Sequence, residues 1–94
     1  MELLSISLIN ANMEKLSDWS LEDNGKSIIK LFEFPDFRTA VEFINKIAQI
    51  AEQEEHHPEI KLYDSNKLEI KMFTISAGGL TEKDFKVAEE IDKI

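Results

Sequence analysis

Cysteine is absent from the 94 residues, which excludes disulfides and thiolate metal sites and leaves the chain indifferent to redox compartment. Basic residues are scarce: eleven against nineteen acidic ones leave a net charge of −8. Such a surface repels phosphate backbones and anionic membranes, so direct nucleic-acid binding is not expected. No stretch reaches the ~18 apolar residues of a membrane span. The opening Met1-Glu2-Leu3-Leu4-Ser5 lacks the basic region of a signal peptide, so the expectation is a soluble, cytoplasmic protein. With only three glycines and two prolines, no linker, repeat or low-complexity segment divides the chain, and residues 1–94 read as one domain. A hydrophobic content of 43% is enough for a modest core. A chain of this size buries only about 60–65% of its unfolded surface, which makes subunit association a natural source of further burial.

What is present is ordered by its apolar spacing. Ile6, Ile9, Met13 and Leu16 recur every three or four residues and predict a short amphipathic helix over 6–16. Trp19 to Glu22 alternates apolar and polar, and Asn24-Gly25 then signals a two-residue hairpin turn. The partner strand, Ser27 to Phe34, is apolar on both faces through Ile28, Ile29, Leu31, Phe32 and Phe34. One face calls for a helix and the other for a second cover, such as another subunit. Asp36 is a suitable N-cap for a long helix over 37–55, with Ala40, Phe43, Ile44, Ile47, Ala48 and Ala51 on one side. Ile60 and Leu62, then Leu68, Ile70 and Met72, alternate with polar residues around an Asp64-Ser65-Asn66 turn and predict a second hairpin. Thr81 and Asp84 have capping-box spacing before a last helix from 82 onward, striped by Phe85, Val87, Ala88, Ile91 and Ile94. The order α-β-β-α-β-β-α predicts an α+β fold, a four-stranded antiparallel sheet with helices packed on one face.

The only two histidines stand side by side in Glu54-Glu55-His56-His57-Pro58-Glu59. Pro58 disfavours α geometry for His57, so the long helix ends here and delivers both imidazoles at its exit. The negative helix end and three carboxylates favour protonated imidazole, against a background in which a solvated, charged terminus is the plainer reading. A metal site is a poor fit. Adjacent imidazoles seldom bind one ion together, and no further histidine or cysteine completes a set.

From Trp19 onward the chain resembles the pterin-4a-carbinolamine dehydratase family. The resemblance is carried by Phe32-Glu33-Phe34 followed by Asp36-Phe37, by Ala40 and Phe43, by Glu55-His56-His57-Pro58, and by Thr74 with Gly78-Gly79-Leu80-Thr81, Asp84 and Ala88. It implies dehydration of 4a-hydroxytetrahydrobiopterin to the quinonoid dihydropterin, as in tetrahydrobiopterin recycling, with no metal and no organic cofactor. It also implies a small-molecule pterin as the partner and a homodimer or homotetramer as the assembly. That step expels hydroxide from C4a and takes a proton from N5, and imidazole suits both tasks near neutral pH.

The resemblance makes His56 and His57 the catalytic pair. It places Glu55, His56 and His57 on the helix side of the pterin site and Phe73, Thr74, Ile75 and Ser76 on the strand side. Asp84 matches a family acidic residue, read either as a substrate contact or as a helix-capping carboxylate. The family's third histidine follows a threonine at the end of the last strand, and here that position is Ile75. The interval from Pro58 to Ile75 also holds one residue more than the family commonly has, which we place at the Asp64-Ser65-Asn66 turn. Isoleucine moves no proton. The expectation is therefore a dehydratase of reduced activity, set against a weak or inactive relative kept as a pterin-binding or dimerisation protein, with a link to molybdenum-cofactor metabolism as one setting. Animal relatives of the family serve as dimerisation partners of a transcription factor.

Overall fold

The computed structural model describes residues 2–94. Its elements run α1 (Ile6–Met13), β1 (Ser20–Leu21), β2 (Ile28–Glu33), α2 (Phe37–Glu54), β3 (Glu59–Tyr63), β4 (Lys67–Met72), a 3-10 turn (Ile75–Ala77) and α3 (Glu82–Asp92). The predicted α+β order is the observed one. All strands are antiparallel, in the spatial order β1-β2-β4-β3. The two hairpins thus join through β2 and β4, and the short β1 and the exposed β3 become the sheet edges.

One face of the sheet is closed. Leu68, Ile70 and Met72 are completely buried, alternating with half-buried Lys67, Glu69 and Lys71 as a period of two requires. They share a single cluster with Ile9 of α1, Ile47 of α2, and Phe85, Val87, Ala88 and Ile91 of α3, so all three helices cover the same side. Cutting any of these aliphatic side chains back to alanine would cost about 2–5 kcal/mol. Phe32, Phe34 and Phe43 extend the cluster, their ring centroids 4.9–6.0 Å apart. The opposite face is open in the single chain. Leu31 is 58% exposed there and Tyr63 38%, among charged neighbours such as Glu33 and Lys61.

Several local expectations change. The first helix ends at Met13, and Ile6 stays in solvent while Ile9, Met13 and Leu16 pack. In α2 the buried side takes in Ile50 and leaves Ala48 exposed, because Ala48 lies about 100° around the helix from the buried Ile47. Asn24-Gly25 does not form a two-residue hairpin turn. Glu22 N–H instead meets Ser27 O at 2.9 Å around a four-residue loop, in which Asn24 Oδ1 accepts from Lys26 N–H and only Gly25 takes a positive φ. The type I′ turn that Asn-Gly favours needs two successive left-handed residues. That pair occurs at Asp64 and Ser65, with φ of 49° and 62°.

A carboxylate missing from the predicted framework closes the far end of the fold. Asp92, the last residue of α3, accepts from Trp19 Nε1 and Ser17 N–H and pairs with Lys30, all at 2.9 Å. It fastens α3 to the α1–β1 connection and to β2. Among the described residues no helix is long and apolar enough to cross a membrane.

Asp36 caps α2 as anticipated: its Oδ1 accepts from Thr39 N–H at 2.8 Å, which holds its carboxyl below the ordinary aspartate value of 3.8. A depressed folded-state pKa adds stability that is present above the unfolded value and lost as pH falls through the folded one. Asp36→Ala is therefore expected to lower the thermal midpoint at pH 7 by several degrees. The gap to the parent protein should close as pH falls below about 4, read by circular dichroism melts across pH 2–7.

Candidate active site

The exit of α2 sets where the imidazoles go. Glu55 takes a left-handed φ of 53°, His56 N–H reaches back to Ala51 O at 3.1 Å, and Glu55 N–H reaches Glu52 O at 3.4 Å. These bonds are a Schellman closure, usually built on glycine. A side chain at that φ costs roughly 1–2 kcal/mol, so the turn is held here by what surrounds it. Lys83 of α3 contributes: its ammonium donates to Glu54 O at 2.8 Å, placing a cation on the negative helix end that sequence reasoning left uncompensated.

After this turn the two histidines part company. The His56 side chain is 11% exposed and its Nε2 lies 2.7 Å from Asp84 Oδ1. Asp84, at the third position of α3, is fully buried. Its Oδ2 accepts from Thr81 N–H at 2.9 Å, the capping bond of α3, and from Thr74 Oγ1 at 2.8 Å. Thr74 Oγ1 also meets Thr81 Oγ1 at 2.9 Å and lies 3.5 Å from His56 Nε2. Every buried side-chain polar atom among the described residues has a partner. With Oδ2 already accepting twice, the carboxylate acts as acceptor at Oδ1 as well. Nε2 of His56 therefore carries the proton, and Nδ1, without a partner among the described residues, is the nitrogen left for a reacting molecule.

His57 points elsewhere, its side chain 61% exposed and its Nε2 hydrogen-bonded to Glu52 of the preceding helical turn. The pair thus combines one imidazole fixed by a buried carboxylate with one on the surface. That difference is not readable from two adjacent letters.

On the strand side, β4 runs out through Phe73 to Thr74, which pairs with Gly79 across the 3-10 turn (Thr74 N–H to Gly79 O, 2.8 Å). Gly78 closes this turn with a φ of 76°, and an added Cβ on Gly79 would sit 2.9 Å from Leu3 Cδ2. Ile75 is lifted to the turn's tip and is 82% exposed.

Glu55, His56, His57, Phe73, Thr74, Ile75 and Ser76 together line one open cleft of about 450 Å³. Those are the residues that sequence reasoning assigned to the two sides of a site. Asp84 lies beneath them, reaching the cleft through His56 and Thr74 rather than lining it. Of the two readings posed for it, the capping carboxylate is the one observed. Thr81 is the participant that reasoning missed: the capping-box spacing named it, but only the fold brings it against Thr74.

The chain matches the sequence profile of the family described as pterin 4 alpha carbinolamine dehydratase over residues 2–94. A protein of Trichodesmium erythraeum, named as a candidate pterin-4-alpha-carbinolamine dehydratase, is 42% identical over 90 residues, covering 96% of this chain and 94% of its own. One from Sulfolobus acidocaldarius with the same name is 40% identical, covering 92% and 91%. The crystal structure of a transcriptional coactivator/pterin dehydratase from Brucella melitensis superposes with a TM-score of 0.88 at 33% identity, covering 96% of this chain and 95% of that one. A pterin dehydratase-like RuBisCO assembly factor of the alpha-carboxysome shares the fold, with a TM-score of 0.68 at 19% identity, covering 84% and 90%. Sequence and fold agree along nearly the whole length, and the chain belongs to the pterin-4-alpha-carbinolamine dehydratase family.

Proposed function

We propose that the protein dehydrates 4a-hydroxytetrahydropterins, with His56 and His57 as its acid-base groups. The observation that carries this reading is the His56–Asp84–Thr74 network under a cleft that both His56 and His57 line. In the reaction the C4a–O bond breaks, N5 gives up its proton, a C4a=N5 double bond forms and water leaves. His56, with Nε2–H on the Asp84 carboxylate, takes the N5 proton at Nδ1, and Asp84 stabilises the imidazolium that results. His57, beside Glu52, supplies the proton that lets hydroxide depart as water. In this reading Phe73 and Ile75 offer the ring system apolar surface, and Glu55 and Ser76 meet its polar edge. Asp84 acts as a positioning residue. No step calls for a metal or an organic cofactor.

The competing reading, a non-catalytic pterin binder or association module, draws on Ile75. The position where the resemblance places a third imidazole carries an exposed aliphatic side chain. A pterin dehydratase-like protein of the same fold is identified as a RuBisCO assembly factor.

Stopped-flow dehydration of enzymatically generated 4a-hydroxytetrahydropterin separates the two, with the spontaneous reaction as baseline. Acceleration should fall about 10²–10⁴-fold in His56→Ala/His57→Ala, since that is the usual worth of acid-base catalysis. Absence of acceleration by the folded parent protein would select the binder. Ile75→His is expected to raise the rate by about tenfold or more with little effect on the melt, because the side chain stands in solvent. No gain would mean that a group at the turn's tip does not reach the reacting atoms.

For assembly we propose a homodimer or homotetramer. The support is the open sheet face with its exposed Leu31 and Tyr63, together with the small core of a 94-residue chain. Sedimentation velocity at micromolar concentration should show a species larger than the monomer, and a monomer throughout would refute it.

A further inference from the structure

A second cavity, of about 330 Å³, adjoins the His56 cleft, and the two share Phe73 and Ile75 as a common wall. Its other side is the β1–β2 loop, through Asn24, Lys26 and Ser27, with Lys71 of β4 beside them. No carboxylate lines it, although the chain carries a net charge of −8. Lys71 is occupied by Glu22, 2.9 Å away and outside the lining; their hydrogen bond raises the lysine pKa, and the glutamate pKa is lowered first by the Ser27 hydroxyl and then by Lys71. Lys26 differs. Among the described residues its ammonium has no acceptor, and the Asn24 side-chain nitrogen is likewise unengaged because the amide is turned by its oxygen toward Lys26 N–H. An unpaired ammonium and an unengaged amide nitrogen thus belong to two exposed residues that line a space whose wall is the edge of the proposed pterin site.

We infer that this cavity receives the C6 substituent of the pterin and that Lys26, helped by Asn24, selects substituents ending in an anion, a phosphate monoester or a carboxylate. The inference rests on the pterin reading of the His56 cleft. A bicyclic ring lying against Phe73 and Ile75 has its substituent directed across that wall or away from it. The far side of the wall is where the unpaired donors are. Charge-assisted hydrogen bonds to an anion are roughly twice as strong as neutral ones, whereas a neutral polyol gains little from an ammonium already solvated by water. The preference is therefore a property of the substituent and leaves the dehydration step untouched.

Isothermal titration at about 0.1 M salt with dihydroneopterin, dihydroneopterin monophosphate and dihydrofolate tests it without relying on turnover. An anionic ligand should bind about tenfold tighter than the neutral one, and Lys26→Gln should remove that advantage while leaving the neutral ligand's affinity unchanged. Phosphate monoester and carboxylate are told apart by which of the two ligands shows the advantage. Equal affinities for all three, or an advantage that survives Lys26→Gln, would overturn the subsite alone. Failure of every pterin to bind the folded protein would overturn the pterin reading and the subsite with it.

Discussion

The structure depends most on one buried carboxylate. Asp84 has no exposed surface, and each of its contacts belongs to a different part of the chain: the start of α3 through Thr81, the end of β4 through Thr74, and the exit of α2 through His56. A buried charge is tolerated only when its acceptor capacity is filled, and here it is filled by those segments. Breaking one contact would leave the others around an under-satisfied anion. The cleft floor and the junction of three elements are therefore the same object, and the geometry of His56 is as firm as the fold.

The remaining supports follow from that junction. Lys83, on the turn of α3 that carries Asp84, reaches the last carbonyl of α2 and steadies the left-handed Glu55 turn. Asp92, at the opposite end of α3, gathers Trp19, Ser17 and Lys30. The last helix is thus pinned at both ends by carboxylates, while its middle supplies Phe85, Val87, Ala88 and Ile91 to the core.

The elements and their order were legible because their signals are local. Period two in Leu68-Ile70-Met72, period 3.6 in α2, Asp36 as a cap and Thr81–Asp84 as a box are each decided within a few residues. Both walls of the cleft were legible for another reason, the resemblance carried by Glu55-His56-His57-Pro58 and Thr74. What escaped was non-local. The partners of Asp92 lie 62 to 75 residues away in sequence, and no spacing rule announces them. The unequal settings of His56 and His57 depend on a left-handed residue that is neither glycine nor asparagine, so Pro58 announced the helix stop but nothing announced how it closes. Asn24-Gly25 misled because the asparagine side chain captured Lys26 N–H and held its own backbone out of the left-handed region.

Ile75 stands in solvent at the tip of a turn whose closure is made by Thr74, Gly78 and Gly79, while the hydrogen-bonded Thr74, Asp84 and His56 beneath it are locked into the fold. Stability therefore places almost no selective pressure on what side chain stands there. A lineage can exchange the group that overhangs the cleft without passing through a misfolded ancestor, whereas Thr74 or Asp84 cannot drift alone. The fold partitions its site into an inherited floor and an adjustable rim, and on such a scaffold new substrate preferences would arise first at the rim.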